Sequence, residues 1–254
     1  MAPQAAAPNP PPVARVLLYG KAMLIRQMFD SDSSTYTYLV ADQRSKQAAL
    51  IDPVAGQVER DLALVRELGL TLVHVLETHI HADHITGAGA LRERTGATTV
   101  ASSHGAACID RHVAHGEVIR LGDVAITALT TPGHTDDGVS YVTTGAVFTG
   151  DTLLIRGCGR SDFQNGNAEA LYHSITQVLF ALPDETMMYP GHDYQGLTTS
   201  TIGEEKRHNP RVAGKSRDQF VEIMNNLKLP PPKHLLEAVP ANRACGTVPV
   251  QEAQ

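Results

Sequence analysis

The sequence predicts an α+β protein in which two β-sheets pack together and helices cover their outer faces. Three observations predict it. Short runs of apolar and β-forming residues fall in blocks interleaved with helical periodicity, and each sheet so formed has a face to cover. Clusters of His and Asp follow strand ends at Thr78, Thr131, Thr149 and Tyr189, where scaffolds usually place chemistry. No linker splits the chain, and no internal repeat stands out. Periodicity by itself leaves the topology open.

The elements follow in order. Met23–Phe29, Tyr36–Val40 and Ala48–Ile51 read as strands separated by polar turns such as Asp30-Ser31-Asp32-Ser33-Ser34. Val58, Leu62, Val65 and Leu68 recur at helical spacing until Gly69. Thr71–Thr78 is a strand that runs into His79-Ile80-His81-Ala82-Asp83-His84, and a helix is expected from His84 to Arg94, stopped by Gly96. Strands are expected at Thr98–Ala101, Val118–Leu121, Val124–Thr130, Val139–Thr143 and Ala146–Thr149. Asn167–Ala181 reads as a helix, Thr186–Tyr189 as a strand and Asp218–Leu227 as a C-terminal helix.

Composition narrows the function classes. A formal net charge of -6, with no basic run, argues against a nucleic-acid surface, and no apolar stretch is long enough to span a membrane. Residues 1–22 begin with Ala and Pro and no apolar segment, and read as a disordered tail. A single catalytic domain is expected over 23–254. Arg15, Lys21 and Arg26 precede the first acid, Asp30, so an organelle-targeting signal such as a mitochondrial one is conceivable; a cytoplasmic location is the preferred reading. Cys108, Cys158 and Cys245 are too few and too scattered for a disulfide framework or a Cys-rich zinc site, which points to a reducing compartment.

Twelve histidines are the anomaly. His79 and His81 lie two apart on an extended segment and project to one side, while Asp83 and His84 come where the chain turns. His134 follows Pro132-Gly133, Asp151 follows Thr149-Gly150, and His192 opens His192-Asp193-Tyr194. Imidazole suits Zn, Fe and Ni alike, and added carboxylates harden a site toward oxygen chemistry. A lone His is more often an ordinary hydrogen-bonded residue, the reading given to His74, His104, His112, His115, His208 and His234; His173 stays open. Four ligand-bearing segments in order are not accidental.

These motifs resemble the metallo-β-lactamase superfamily, which implies a four-layer αβ/βα sandwich of two mixed sheets with metals at the strand-end rim. In its hydrolases, His79, His81 and His134 would bind one metal, and Asp83, His84 and His192 another, with Asp151 bridging. Closer matches resemble the persulfide dioxygenases. They include Phe148-Thr149-Gly150-Asp151, the stretch from Leu153 to Gln164 with Gly157-Cys158-Gly159-Arg160, Leu171-Tyr172-His173, His208-Asn209-Pro210-Arg211, and Val239-Pro240-Ala241-Asn242. Leu24-Ile25-Arg26-Gln27-Met28-Phe29 and Thr35-Tyr36-Thr37-Tyr38-Leu39 belong to the same pattern.

That family implies oxidation of glutathione persulfide by O₂ to sulfite and glutathione in sulfide catabolism. It also implies one Fe(II) per chain on His79, His134 and Asp151, a two-His-one-carboxylate triad with open positions. His81, Asp83, His84, His192 and Asp193 would then surround the ligands and orient them. Donor types for a second ion are all present, so a single ion is implied by the resemblance and not by the residues. Glutathione carboxylates call for cationic partners. Arg160 stands nine residues after Asp151, where glyoxalase II hydrolases carry a glutathione-binding Lys, and Tyr194 matches the Tyr of their Gly-His-x-Tyr motif. Arg156, Tyr172 and Arg211 are weaker candidates. Cys158 reads as a packed thiol with no adjacent base. A homodimer is the expected assembly.

The chain departs from the pattern at Thr135-Asp136-Asp137-Gly138, where Thr-x-Gly-Cys is expected, which calls local substrate contacts into question. Gly191 replaces an expected Ala. The alternative function is a glyoxalase II-type hydrolase of S-acylglutathione thioesters using metal-bound hydroxide, although only about 60 residues follow His192 and they show no recognisable helical glutathione-binding extension. A third reading is a non-catalytic metal-binding or thiol-sensing protein.

Overall fold

The computed structural model describes residues 23–232 and 234–246; the tail expected over residues 1–22 lies outside them. The first half of the chain makes β1 (Met23–Asp30), β2 (Thr35–Asp42), β3 (Gln47–Ile51), α1 (Val58–Glu67), β4 (Thr71–Leu76), α2 (Ala88–Thr95), β5 (Thr98–Ser102) and β6 (Arg111–Val113). The second half makes β7 (Val118–Leu121), β8 (Val124–Thr130), β9 (Val139–Thr143), β10 (Ala146–Gly150), α3 (Ala168–His173), β11 (Met187–Pro190), β12 (Ser200–Thr201), α4 (Ile202–His208), α5 (Arg217–Asn225) and α6 (Leu235–Arg243).

The strands form two six-stranded sheets, ordered β1-β2-β3-β4-β5-β6 and β12-β11-β10-β9-β8-β7. Both are mixed. β1 to β3 pair antiparallel and β3 to β6 parallel, while β10 pairs parallel with β11 in an otherwise antiparallel sheet.

Side-chain alternation assembles the layers. On β2, Tyr38 and Val40 face Tyr141 and Phe148 of the second sheet in the central core, whereas Leu39 and Ala41 join Val58, Leu62 and Val65 of α1. Every residue of β2 is therefore buried, as expected for a strand covered on both faces. The outer face of the second sheet, with Val147 and Met188, packs against Leu171, Phe220 and Met224 from α3 and α5. The result is the helix–sheet–sheet–helix sandwich, and it brings the strand ends that carry the polar clusters to one rim.

Four elements were not anticipated. β6 and β12 have three and two residues, too short for a periodic signal. α4 is almost wholly polar and starts where the Thr201 side chain accepts from Glu204 N–H. α6 contains Pro240. The helix expected from His84 begins only at Ala88, because Asn242 Oδ1 accepts from Thr86 N–H (2.8 Å) and Thr86 Oγ1 accepts from Ala88 N–H (3.1 Å). The helix expected over Asn167–Ala181 is regular only to His173; Ser174–Val178 forms a wider π turn. There Ser174 Oγ donates to Pro132 O (2.7 Å), and Ile175, Thr176 and Val178 are β-branched.

The cysteine reading needs correction. Cys108, in the β5–β6 loop, is joined to Cys245, just past α6, by a disulfide across a separation of 137 residues. Chain spacing hides a pair that the fold brings to a Cα–Cα distance of 5.9 Å. Cys158 is free and buried, and burial pushes its thiol up to about 12.

Candidate metal centre

The first sheet delivers its donors from one loop, between the end of β4 and α2. His79, His81 and His84 are all buried there, with ring centroids 4.1 Å apart for His79 and His81 and 4.3 Å for His81 and His84. A run of irregular buried backbone must find hydrogen bonds elsewhere. Ile80 N–H donates to Asp137 Oδ2 (2.8 Å), and Asn242 Nδ2 donates to His81 O (2.9 Å) and His84 O (2.8 Å). Below the loop, Asp52 accepts from Thr78 N–H (2.7 Å) and Thr78 Oγ1 (2.8 Å), and Thr78 Oγ1 lies 3.0 Å from His79 Nδ1. That contact occupies one ring nitrogen of His79 and leaves Nε2 for a metal.

The second sheet delivers donors one at a time. His134 follows β8, Asp151 follows β10 and His192 follows β11. Arg160 O lies 2.6 Å from His134 Nδ1, so here too Nε2 is the free donor. Gly159 permits this approach, since a Cβ there would lie 2.7 Å from His134 Nδ1 and 2.5 Å from Asp151 O. Ser34 O lies 3.0 Å from His192 Nδ1.

His79, His134 and Asp151 each offer an atom within 4.8 Å of the others. The His79 and His134 rings stand 4.9 Å apart, nearly perpendicular, and Asp151 Oδ2 is 3.6 Å from His134 Nε2. Asp151 Oδ1 is buried without a hydrogen-bond partner and lies 3.6 Å from His192 Nε2. An orphaned carboxylate oxygen among imidazoles is costly in a closed protein interior, and this donor set fits a divalent metal ion. Burial, and the proximity of His81 and His134, hold His79 well below the usual His range, the neutral form that ligates.

Around this triad lies a second set. His81, Asp83 and His84 also converge within 4.8 Å, as do Asp52, Glu77 and His81. His81 Nε2 is 3.2 Å from Asp52 Oδ1 and 3.5 Å from Glu77 Oε2, charge contacts without good hydrogen-bond alignment. Burial pulls the His81 pKa down, but Asp52 and Glu77 outweigh it and hold the group well above its ordinary value. Asp83 Oδ2 lies 2.9 Å from His84 Nδ1 and 3.6 Å from His192 Nε2 and accepts from Thr35 Oγ1 (3.0 Å). Burial pushes Asp83 up, yet His192 and His84 bring it well below the carboxylate range.

The anticipated substrate residues lie in different settings. Tyr194 is 73% exposed and stacks on His192 with ring centroids 5.9 Å apart. Asp193 turns inward and accepts from Gln195 N–H (2.8 Å) and Leu197 N–H (2.7 Å). The Arg160 guanidinium pairs with Asp162 (2.7 and 2.8 Å), donates to Pro230 O (2.6 Å) and lies 4.4 Å from the Phe163 ring centroid. Arg156 pairs with Glu204 and Glu205. Tyr172 donates to Lys215 O (2.9 Å) and packs on Phe220, and Arg211 reaches toward Met224 Sδ (3.8 Å).

Sequence reasoning missed Thr35, Asp52, Glu77 and Asn242, which brace the donors without standing in the ligand motifs. Asp52, directly after a strand and before Pro53, and Asn242, in a quoted motif, were the available signals. Asp137 was noted only as a departure; it is buried and turned toward the Ile80 backbone.

A metal centre of His and Asp at the rim between two covered mixed sheets defines the metallo-β-lactamase class, and that superfamily's pattern matches residues 31–107 and 109–192. Mouse persulfide dioxygenase ETHE1, a mitochondrial protein, is 48% identical over 230 residues, covering 89% of this chain and 90% of its own. The crystal structure of ETHE1 from Myxococcus xanthus superposes with a TM-score of 0.87 at 63% identity, covering 88% of this chain and all of that one. A probable hydroxyacylglutathione hydrolase, glo2, of fission yeast (Schizosaccharomyces pombe) is 33% identical over 175 residues, 66% of this chain and 67% of its own. The chain belongs to the metallo-β-lactamase superfamily and, within it, to the persulfide dioxygenase family.

Proposed function

We propose that this protein is an Fe(II)-dependent dioxygenase that converts glutathione persulfide, O₂ and water to glutathione and sulfite, with one iron per chain on His79, His134 and Asp151. The observation that carries this reading is the three-donor set itself, with His81 held by Asp52 and Glu77. A triad of two imidazoles and one carboxylate suits octahedral iron and leaves adjacent positions for two reactants. Bound there, Fe(II) supplies the one-electron redox chemistry that O₂ requires.

The chain's own residues do the rest. Thr78 and Arg160 O engage Nδ1 of His79 and His134, which leaves Nε2 of each to the metal. Bringing persulfide and O₂ together within one rim makes their encounter effectively intramolecular. His192, whose Nε2 lies 3.6 Å from both Asp151 Oδ1 and Asp83 Oδ2, is placed to hold and release a proton as the terminal sulfur gains oxygen, with the Asp83 carboxylate as its charge partner. Exposed Tyr194 is proposed to line the mouth, and Arg160 to meet a glutathione carboxylate in competition with Asp162; Arg156, Tyr172 and Arg211 would act from further out. The proposal includes a single catalytic domain over 23–254, a cytoplasmic location and a homodimer. Among the described residues no helix is long and apolar enough to cross a membrane.

Thioester hydrolysis is the second reading, favoured by further donors around the triad that a second ion could use: His192 Nε2 lies 3.6 Å from both Asp151 Oδ1 and Asp83 Oδ2, and His84 Nδ1 lies 2.9 Å from Asp83 Oδ2. One anaerobically prepared, iron-loaded sample decides between the two. Glutathione persulfide should drive O₂ uptake with about equimolar sulfite, and zinc loading should abolish it because Zn²⁺ has no accessible redox change. S-Lactoylglutathione should be hydrolysed slowly or not at all. Rapid thioester hydrolysis without oxygen consumption would move the protein to the hydrolases.

A further inference from the structure

The disulfide takes no part in the chemistry above, yet it is tied to the metal loop. Three residues before Cys245, the Asn242 side chain donates to His81 O and His84 O and accepts from Thr86 N–H. Cys245 O accepts from Gly89 N–H (3.0 Å) at the start of α2. The approach is so close that a Cβ at Gly89 would lie 2.4 Å from that oxygen. Cys245 also shares a small cavity with His79, Ile80 and Asp137. The C-terminal segment is thus a clamp over the loop that carries the ligands.

Its approach to the clamp is held by Arg160, which donates to Pro230 O (2.6 Å), but buries little apolar surface. Pro230, Pro231 and Pro232 precede α6, Leu229 and Leu236 are exposed, and in α6 burial falls on Ala238, Ala241 and Asn242. The bond from Cys245 to Cys108 is a second covalent tether between this segment and the sandwich, beside its own main chain from α5. Fixing the far end of the segment removes conformational freedom that it would gain on detaching.

We propose that Cys108 and Cys245 form a thiol–disulfide exchange site for low-molecular-weight disulfides of the glutathione type, whose state sets how firmly the His81–Thr86 backbone is clamped. Cys108 is half-buried and Cys245 is 3% exposed, so Cys108 is the entry thiol. Arg92 donates to Cys108 O (2.9 Å) and pairs with Asp110 (3.2 Å), so the entry thiol stands beside a guanidinium whose charge Asp110 partly offsets. The Cys108 thiolate attacks one sulfur of the small disulfide and expels a thiolate. Cys245 thiolate then attacks Cys108 Sγ in the mixed disulfide and expels the second. Two protein thiols lose two electrons, the small disulfide gains them, and the two thiol protons leave on the two released thiols. In a reducing compartment the open dithiol is the resting form and the closed clamp is the response to oxidation. Cys158 stays out of the exchange, since burial keeps it protonated.

The proposal does not depend on which reaction the metal performs, and its test needs no turnover. Full-length protein loaded with Zn²⁺ is equilibrated in reduced glutathione or in glutathione disulfide. Differential alkylation with mass spectrometry then reads each cysteine, while amide exchange across residues 81–86 and the rate of zinc loss to a chelator are followed. Oxidation should join Cys108 to Cys245, leave Cys158 free, and slow both exchange and metal loss at least several-fold. Cys108→Ser should show the reduced behaviour in both buffers. Equal exchange and metal loss in the two wild-type states, or thiols untouched by glutathione disulfide, would overturn it.

Discussion

The two sheets bring candidate metal donors to the same rim by opposite means. The first spends one irregular loop on His79, His81, Asp83 and His84, and none of that loop's backbone from Ile80 to Thr86 lies in a helix or named strand. It is braced from a distance, by Asp137 from the second half of the chain and by Asn242 from α6. The second sheet gives His134, Asp151 and His192 singly at three strand ends. Here the strand itself fixes the backbone, and one neighbouring carbonyl orients each imidazole, Arg160 O for His134 and Ser34 O for His192. Dense donors on a loop need their backbone braced from a distance; sparse donors near strand ends need only their rings oriented from elsewhere.

Deleting a ligand tests whether both means are equally necessary, and it has the largest expected effect. His79→Ala from the loop, and His134→Ala or Asp151→Ala from the strand ends, should each empty the proposed site, because a triad has no spare donor. His81→Ala should keep most of the iron. Elemental analysis of anaerobically purified protein checks this, and two tightly held ions per wild-type chain would contradict the single-metal proposal.

Removing a brace should have an intermediate effect, and only on the loop. Asn242→Ala deletes two hydrogen bonds and strands the buried Thr86 N–H, at a cost of roughly 2–4 kcal/mol. Asp137→Ala frees Ile80 N–H alone and should cost about 1–3 kcal/mol. Asp137→Asn, which retains an acceptor oxygen, should recover part of that. Denaturant unfolding gives the stabilities, and chelator competition should show faster metal loss in step with them. If Asn242→Ala leaves metal loss unchanged, bracing at a distance is unimportant.

The smallest effect is expected at Asp61, on α1 over the outer face of the first sheet and away from either set of ligands. Its side chain is fully buried, with Oδ1 2.8 Å from Arg60 Nε and Oδ2 unpartnered. Burial raises its pKa, the pairing with Arg60 only partly opposing it. A carboxyl raised on folding disfavours the folded state once ionised, so stability from this group is gained as pH falls through the raised value and is lost above it. Wild type measured against Asp61→Asn should therefore gain in relative stability from neutral pH down to the ordinary carboxylate range, by about 1 kcal/mol or less, with metal content unchanged. A pH-independent difference would contradict the burial argument.

Much of this was legible in the sequence. The β-forming run of β2, the helical spacing of Val58, Leu62 and Val65, and the strand-end positions of His79, His134, Asp151 and His192 are local patterns, and the local backbone obeys them. Strands two or three residues long and a helix containing Pro240 left no periodic trace. The braces were illegible for a different reason. Asp52, Asp137 and Asn242 are single polar residues whose meaning is a partner far away in sequence; a strand end or a motif marks the position without naming that partner.

By itself the sequence determined which residues can ligate a metal and where the longer strands and the α1 helix run, because both depend on side-chain chemistry and on periods of a few residues. Tertiary structure alone decided that His81 meets Asp52 and Glu77, that Asn242 spans the metal loop, and that Cys108 meets Cys245. Apart from the Glu77 contact, four residues away, each of these is closed across a long loop, and its geometry exists only once the strands and α6 have packed.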